Sequence, residues 1–364
     1  MNRFGFGCMR LPMKNGAVDT VEFSQMVDRF LAEGFTYFDT AHGYLSGQSE
    51  TALRTSLTSR YPREQYQLTD KLSTNFFDSE AEIRPLFESQ LAACGVSYFD
   101  YYLMHSQTAE YYEKFIRCNA YRTAFALKAE GKVRHVGISF HDKAAVLERI
   151  LSEQPDIEAV QLQFNYADYD DPDVEGRKCL AVCQKYGKPV IVMEPVKGGR
   201  LVDLPKKANQ VFNALHGGSA ASYAIRYAAS FHDVMMVLSG MSNLAQMEDN
   251  VSFMKNFKPL TADESAAVAT VCDILRANDT ISCTACRYCV DDCPMHIAIP
   301  DLFACLNHNA QNAAQSRADY AQYTQTGGKA SACIRCGKCE KACPQHLEIR
   351  TLLTSVAKTF ENIS

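Results

Sequence analysis

The sequence predicts an α/β fold: a closed parallel (β/α)8 TIM barrel over residues 1–258, a connecting helix over 259–280, and a small, mostly α-helical domain over 281–364. Three observations carry this. Eight short β-branched or aromatic runs alternate strictly with eight amphipathic stretches, over about 250 residues, which fits a barrel better than an open doubly wound sheet. Gly34, Gly95, Gly131 and Gly187 each stand between a helix-like stretch and the next strand-like run, where a helix C-terminus takes a left-handed residue. Finally, residues 1–280 hold six scattered cysteines while the last 84 residues hold nine, and that asymmetry marks a domain boundary.

The strand-like runs are residues 4–9, 35–38, 66–69, 98–104, 133–138, 159–163, 189–193 and 234–238, each short, apolar and bounded by turn formers. The intervening helix-like stretches are 20–33, 49–60, 79–94, 109–130, 143–152, 173–186, 219–229 and 244–253. Residues 259–278 repeat apolar positions at helical spacing (Ala266, Val268, Ala269, Val271, Cys272, Ile274, Leu275), so they read as a packed helix rather than a linker.

In a parallel barrel, catalytic groups sit at the C-terminal ends of strands and in the loops that follow. Those positions hold Asp39 and Tyr44 after the second run, Lys71 after the third, His105 after the fourth, Ser139 after the fifth and Gln161 within the sixth. An ammonium beside a phenol stabilises the phenolate and lowers its pKa from about 10 toward neutrality, and a carboxylate holds the ammonium in place. Tyr44 is therefore the candidate general acid, with Lys71 and Asp39 behind it. His105 is placed to hydrogen-bond a substrate carbonyl and steady the charge growing on its oxygen. Singly, Asp39 reads equally as a cap, Tyr44 as a buried aromatic and His105 as a core histidine; their joint placement on successive strand ends favours chemistry.

The segments Phe38-Asp39-Thr40-Ala41-His42-Gly43-Tyr44, Thr69-Asp70-Lys71-Leu72, Asp100-Tyr101-Tyr102-Leu103-Met104-His105 and Gly137-Ile138-Ser139 resemble the aldo-keto reductase family over roughly residues 3–258. The resemblance implies a tetrad of Asp39, Tyr44, Lys71 and His105, with NADH or NADPH across the barrel mouth. It implies Ser139 and Gln161 at the nicotinamide carboxamide. Glu194, Pro195, Lys197 and Arg200 correspond to the pyrophosphate-side loop, and Asp249 and Asn250 to the residues that hold the adenine. The chain departs from the family in having Phe140 and His141 where an Asn commonly follows the serine, and Ser106 where a Trp often follows the histidine. Gly240 and Gln246 stand where NADP-preferring members place Lys and Arg. A 2′-phosphate is best held by charge-assisted bonds from Arg, so the choice between NAD and NADP stays open.

Cys283, Cys286, Cys289 and Cys293 before Pro294, and Cys333, Cys336, Cys339 and Cys343 before Pro344, spell C-x2-C-x2-C-x3-C-P twice. A zinc knuckle pairs its thiolates and has no use for a third cysteine at that spacing or a following proline. The motif predicts two [4Fe-4S] clusters with the fourth cysteine of each run crossing to the other cluster. Cys283, Cys286, Cys289 and Cys343 then hold one, and Cys333, Cys336, Cys339 and Cys293 the other. The long, helix-prone segment between the runs resembles α-helical ferredoxin domains. Cys305 reads as a buried apolar residue, and His296, His308 and His346 as surface residues.

With 47% hydrophobic residues, 22% charged and a net charge of −5, the chain is globular and offers no basic footprint for nucleic acid or an anionic membrane. No run is long and apolar enough to span a bilayer and the N-terminus lacks a signal pattern, so a cytoplasmic protein is expected. Exposed clusters predict a low-oxygen setting. Three functions compete. The first is carbonyl reduction or alcohol oxidation by NAD(P)H on a small-molecule substrate. The second is electron transfer, in which the clusters exchange single electrons with a flavin or a redox partner protein, since a nicotinamide passes two electrons and a cluster one. The third is a non-catalytic electron-carrier subunit. Phe76, Phe77 and Tyr166 are candidate pocket residues for a small to medium apolar or cyclic carbonyl compound.

Overall fold

The computed structural model describes residues 3–215, 217–277, 280–309 and 312–361; Asn278, the predicted end of the connecting helix, lies outside them. The strands are β1 (Phe4–Gly7), β2 (Met13–Lys14), β3 (Ala17–Val18), β4 (Tyr37–Asp39), β5 (Gln67–Leu72), β6 (Phe99–Gln107), β7 (Val133–Phe140), β8 (Ala159–Gln163), β9 (Val190–Met193) and β10 (Val234–Gly240). Eight of them close into one barrel in the order β1-β10-β9-β8-β7-β6-β5-β4, every pair parallel. All eight predicted barrel strands are present. The β2-β3 hairpin was not predicted, because two residues per strand are too few to show alternation.

The barrel helices are α1 (Thr20–Ala32), α2 (Gln48–Leu53), α3 (Glu80–Cys94), α4 (Ala109–Arg117), α5 (Ala120–Ala129), α6 (Ala144–Glu153), α7 (Gly176–Lys185), α8 (Lys206–Asn213), α9 (Ala220–Ala229), α10 (Leu244–Met254) and α11 (Ala262–Arg276). Helix α1 shows how the sequence builds one. Asp19 accepts hydrogen bonds from the Val21 and Glu22 amides at its start, and Phe23, Met26, Val27 and Phe30 form the buried face. Phe30 lies in ring contact with Phe4, Phe6, Phe35 and Phe38, which locks α1 onto β1 and β4.

Residues 109–130, predicted as one helix, form α4 and α5, because Asn119 adopts a left-handed backbone (φ 52°) between them. A short polar side chain makes asparagine one of the few residues that does so cheaply. The 49–60 stretch relaxes after α2 into a π-helical turn, Arg54–Thr58. Helix α8 was not predicted; its eight residues carry too few apolar positions for a period to show. In the barrel wall, Gly137 is required sterically, since a Cβ there would lie 2.6 Å from the Ala159 carbonyl oxygen on the neighbouring strand.

The chain divides into two compact units, residues 1–196 with 201–272, and residues 197–200 with 273–364. In the first, α11 is tied down by the Arg226 guanidinium, which forks onto both Glu264 carboxylate oxygens at 2.7 and 2.8 Å, and by Cys272, whose thiol donates to the Tyr166 carbonyl at 3.3 Å.

The second unit contains α12 (Tyr288–Asp291), α13 (Ile299–Asn309), α14 (Ala313–Thr326), α15 (Lys338–Lys341) and α16 (Ile349–Phe360). They pack around Ile297, Ile299, Leu302, Phe303, Tyr320, Leu353 and Val356. The repeat in the sequence is a repeat in the backbone. Ala285, Arg287 and His296 are left-handed, and so are Arg335, Gly337 and His346, each fifty positions later. Among the described residues, no helix is long and apolar enough to cross a membrane.

Candidate active site and cysteine centres

The four strand-end residues converge. Lys71, fully buried, directs its Nζ to Asp39 Oδ1 at 2.5 Å, to the Thr40 carbonyl at 2.7 Å and to the Tyr44 hydroxyl at 3.3 Å. The register sets this up: Asp39 and Lys71 end or nearly end the adjacent parallel strands β4 and β5, and Asp39 pairs with Thr69. Gln161 on β8 donates its Nε2 to Asp39 Oδ2 at 2.9 Å, so both carboxylate oxygens are engaged. The His105 ring packs edge-on to Tyr44 with centroids 5.9 Å apart, and its Nδ1 lies 2.6 Å from Ser73 Oγ. Burial, then the Lys71 ammonium, then His141, push the His105 pKa well below the usual imidazole value, so the ring is neutral.

Local backbone aims two of these side chains. Directly after Tyr44, Leu45, Ser46 and Gly47 are all left-handed (φ 53°, 56° and 84°), a conformation that costs a non-glycine residue about 1–3 kcal/mol and clusters at functional sites. After His105, Ser106 is left-handed (φ 54°) and the β6-β7 register slips between Met104 and Gln107. The Ser106 amide donates to Ser139 Oγ at 2.9 Å. Irregularities of this kind re-aim side chains beside active sites.

Behind the tetrad lies a group the sequence did not reveal. Glu50, Asp70 and Cys94 bring ligand-type atoms within 4.8 Å of one another, all buried. Desolvation, and then repulsion from Glu50, hold the Asp70 carboxyl well above the carboxylate range. Glu50 in turn faces His42, whose Nδ1 is 3.1 Å from both carboxylate oxygens. The signal was present in Ser49-Glu50 and Thr69-Asp70, but only the fold shows that they meet. At the mouth, Phe76 is 45% exposed and packs edge-on against His42 at 4.7 Å. Phe77 and Tyr166, the other two predicted pocket residues, are core side chains, 2% and 3% exposed. Phe77 faces inward onto Phe115, and Tyr166 packs on Tyr227.

The predicted nucleotide contacts fall into groups. Ser139 and Gln161 are register partners on β7 and β8 and are buried, forming a polar cradle of the kind a carboxamide needs. Glu194 is left-handed (φ 56°) and lies 3.6 Å from Arg10, and Pro195 is buried beside it. Arg10, which the sequence gave no reason to single out, also lies over Gly240, where a Cβ would meet its side chain at 3.2 Å. Asn250 donates to Ser239 Oγ at 2.8 Å, Asp249 accepts from Ser219 Oγ at 2.6 Å, and Gln246 Oε1 accepts from the Ser242 amide at 2.8 Å. Lys197 and Arg200 fall in the second unit. There Arg200 donates to the Ile281 carbonyl and to Thr280 Oγ1. Gly198 (φ 65°) closes the same contact, since a Cβ would be 2.2 Å from the Thr284 carbonyl oxygen.

The eight motif cysteines line two concavities of the second unit. One, of about 310 Å3 including its open mouth, is lined by Cys283, Cys286, Cys289 and Cys343. The other, of about 330 Å3, is lined by Cys293, Cys333, Cys336 and Cys339. Each takes three sulfurs from one run and the fourth from the other. The Ala285 amide donates to Cys283 Sγ at 3.4 Å, and the loops carry left-handed residues at Ala285, Arg287, Arg335 and Gly337. Four thiols grouped around one space fit an iron–sulfur cluster. Cys305 is buried, and His296, His308 and His346 are exposed.

Comparison with known proteins agrees with this architecture. Residues 3–273 match the model of the aldo/keto reductase family, and residues 282–347 match that of a 4Fe-4S dicluster domain. The chain belongs to the aldo/keto reductase family and carries a 4Fe-4S dicluster domain after the barrel in its sequence. It is similar to L-galactose dehydrogenase of Arabidopsis thaliana, with 25% identity over 71% of this chain and 86% of that one. An aldo-keto reductase of Mycobacterium sp. (strain JLS) is 31% identical over 30% of this chain and 37% of its own. Among solved structures, an aldo-keto reductase of Bacillus halodurans in its holo form superposes with a TM-score of 0.59 at 24% identity, over 74% of this chain and 91% of that one. One from Klebsiella pneumoniae in complex with NADPH gives 0.57 at 20% identity, over 74% and 90%. These structures share the barrel fold.

Proposed function

We propose that the barrel interconverts a small carbonyl compound and its alcohol with NADH or NADPH, and that Tyr44 is the general acid. The observation that carries the reading is the buried Lys71 ammonium between Asp39 Oδ1 and the Tyr44 hydroxyl. Ser139 and Gln161 would hold the nucleotide at its carboxamide, and when bound it would supply the hydride for the carbonyl carbon. Tyr44 transfers its hydroxyl proton to the carbonyl oxygen, and Lys71 stabilises the phenolate left behind. In alcohol oxidation the phenolate takes that proton back. With Ser73 Oγ–H donating to Nδ1, the neutral His105 carries its own proton on Nε2 and donates it to the substrate oxygen. Arg10 is the cation best placed near Gly240 for a phosphate.

In the second unit, Cys283, Cys286, Cys289 and Cys343 would hold one [4Fe-4S] cluster, and Cys333, Cys336, Cys339 and Cys293 the other, each a one-electron centre. Tyr44→Phe tests the barrel reading. Carbonyl reduction should fall by about 10²–10⁴-fold while nucleotide affinity, titrated by fluorescence, stays within about twofold of the original. Undiminished turnover would remove Tyr44 from the chemistry.

A further inference from the structure

We infer that the concavity lined by Cys293, Cys333, Cys336 and Cys339 is the port at which the protein exchanges single electrons with a small acidic carrier protein, through a docking surface centred on Ile334. This rests on the reading that the cysteines hold [4Fe-4S] clusters, and it assigns the two sites different roles.

The two runs have the same spacing and the same backbone but opposite surroundings. The residue after the first cysteine is Thr284 in one run, 1% exposed, and Ile334 in the other, 60% exposed. Thr284 is covered by the Gly198 loop. Ile334 has no such cover, and the neighbouring Cys336 is the exposed one among the eight motif cysteines. Electron tunnelling falls off steeply with distance, so a carrier docked on Ile334 meets this site at its shortest approach.

Charge separates the sites as well. The port concavity is lined by Lys338 and Arg350, and Arg335 stands between its Cys333 and Cys336. Glu340 is paired with Arg350 at 2.6 Å. Arg335, the next residue, and Lys338, which lines the same concavity, are exposed beside Ile334. The other concavity has Arg287 as its lining cation, and that cation is paired with Asp301 at 3.0 Å. An exposed apolar residue flanked by cations is complementary to an acidic partner with an apolar patch over its own redox centre. Such complementarity raises encounter rates by 10–10³ and fades with salt.

The step is balanced. A flavodoxin hydroquinone anion gives one electron and becomes the neutral semiquinone, and an oxidised [4Fe-4S]2+ cluster becomes [4Fe-4S]1+, with no bond made or broken.

The test mixes the cluster-loaded protein anaerobically with the hydroquinone of an acidic flavodoxin and follows the semiquinone band by stopped flow. At low salt, Arg335→Glu with Lys338→Glu should slow the reaction about tenfold or more, and roughly 0.5 M salt should erase the difference. Ile334→Asp should slow it at both salt concentrations. Arg287→Glu, in the lining of the other site, should leave the rate within about twofold. Iron content and the dithionite-reduced EPR signal, measured on each variant, report on the clusters themselves. Absence of iron or signal in the original protein refutes the cluster reading. Full signal with an unchanged rate in the double variant and in Ile334→Asp overturns the docking surface alone.

Discussion

Lys71 has no exposed surface, and a carboxylate, a carbonyl and a phenol surround its ammonium. Lys71→Met leaves Asp39 buried with one partner fewer, and should lower stability by about 3–5 kcal/mol while removing carbonyl reduction; chemical denaturation and nucleotide oxidation measure the two effects. Ser73 fixes the His105 ring. Ser73→Ala should cut kcat about tenfold with little change in nucleotide affinity, a lesion of positioning rather than of binding. Asp70 gives a pH signature. Its folded pKa is raised by burial and by Glu50, so the folded state holds that proton more tightly than the unfolded chain. Stability is therefore full below the ordinary carboxylate value of about 3.9 and is lost as pH rises through the folded value. Asp70→Asn should flatten the decline in Tm as pH rises above the ordinary carboxylate range. Asp39, Tyr44, Lys71 and His105 were legible because strand ends can be counted along a sequence. Ser73, Arg10 and Glu50 were not, because a serine, an arginine or a glutamate gains its role only from the side chain that the fold sets opposite it.

Among the elements, the turn at residues 45–47 controls the site most directly. Three consecutive left-handed residues follow Tyr44 and reverse the chain into α2. Ser46 is exposed, so replacing it removes no packing and isolates the backbone conformation. Ser46→Val should cost about 1–3 kcal/mol, read by thermal unfolding, and should lower turnover as Tyr44 loses its aim; unchanged stability would mean that the turn stores no strain. The barrel strands and most helices could be read from apolar periodicity, with glycines at their ends. What could not be read were the irregularities: the left-handed turn, the slip in β6 and the break at Asn119. Each replaces a local preference with a tertiary contact, such as the bond from the Ser106 amide to Ser139, and leaves no period in the sequence. Helix α11 was legible as amphipathic, but its anchor, the Arg226 and Glu264 fork, joins residues too far apart in sequence to pair by inspection.

At the scale of the molecule, one chain carries an aldo/keto reductase barrel and a 4Fe-4S dicluster domain. The crossed cysteine sets could be read because the motif spacing repeats, and the concavities group the sulfurs in the same way. The difference between the two concavities could not, since burial of Thr284 and exposure of Ile334 arise from the loop at Gly198. That difference should appear on aeration. Iron should leave in two phases, with the concavity holding the exposed Cys336 emptying first and about half the iron retained at a plateau; a single phase would mean equal protection. The division of labour is tested most directly by the fate of the transferred hydrogen. With nicotinamide nucleotide deuterated at C4 and an accepted ketone in ordinary water, direct hydride transfer predicts deuterium on the carbinol carbon of the product. A product whose carbinol hydrogen comes from solvent would mean that electrons reach the carbonyl one at a time, and would contradict the role assigned to the barrel.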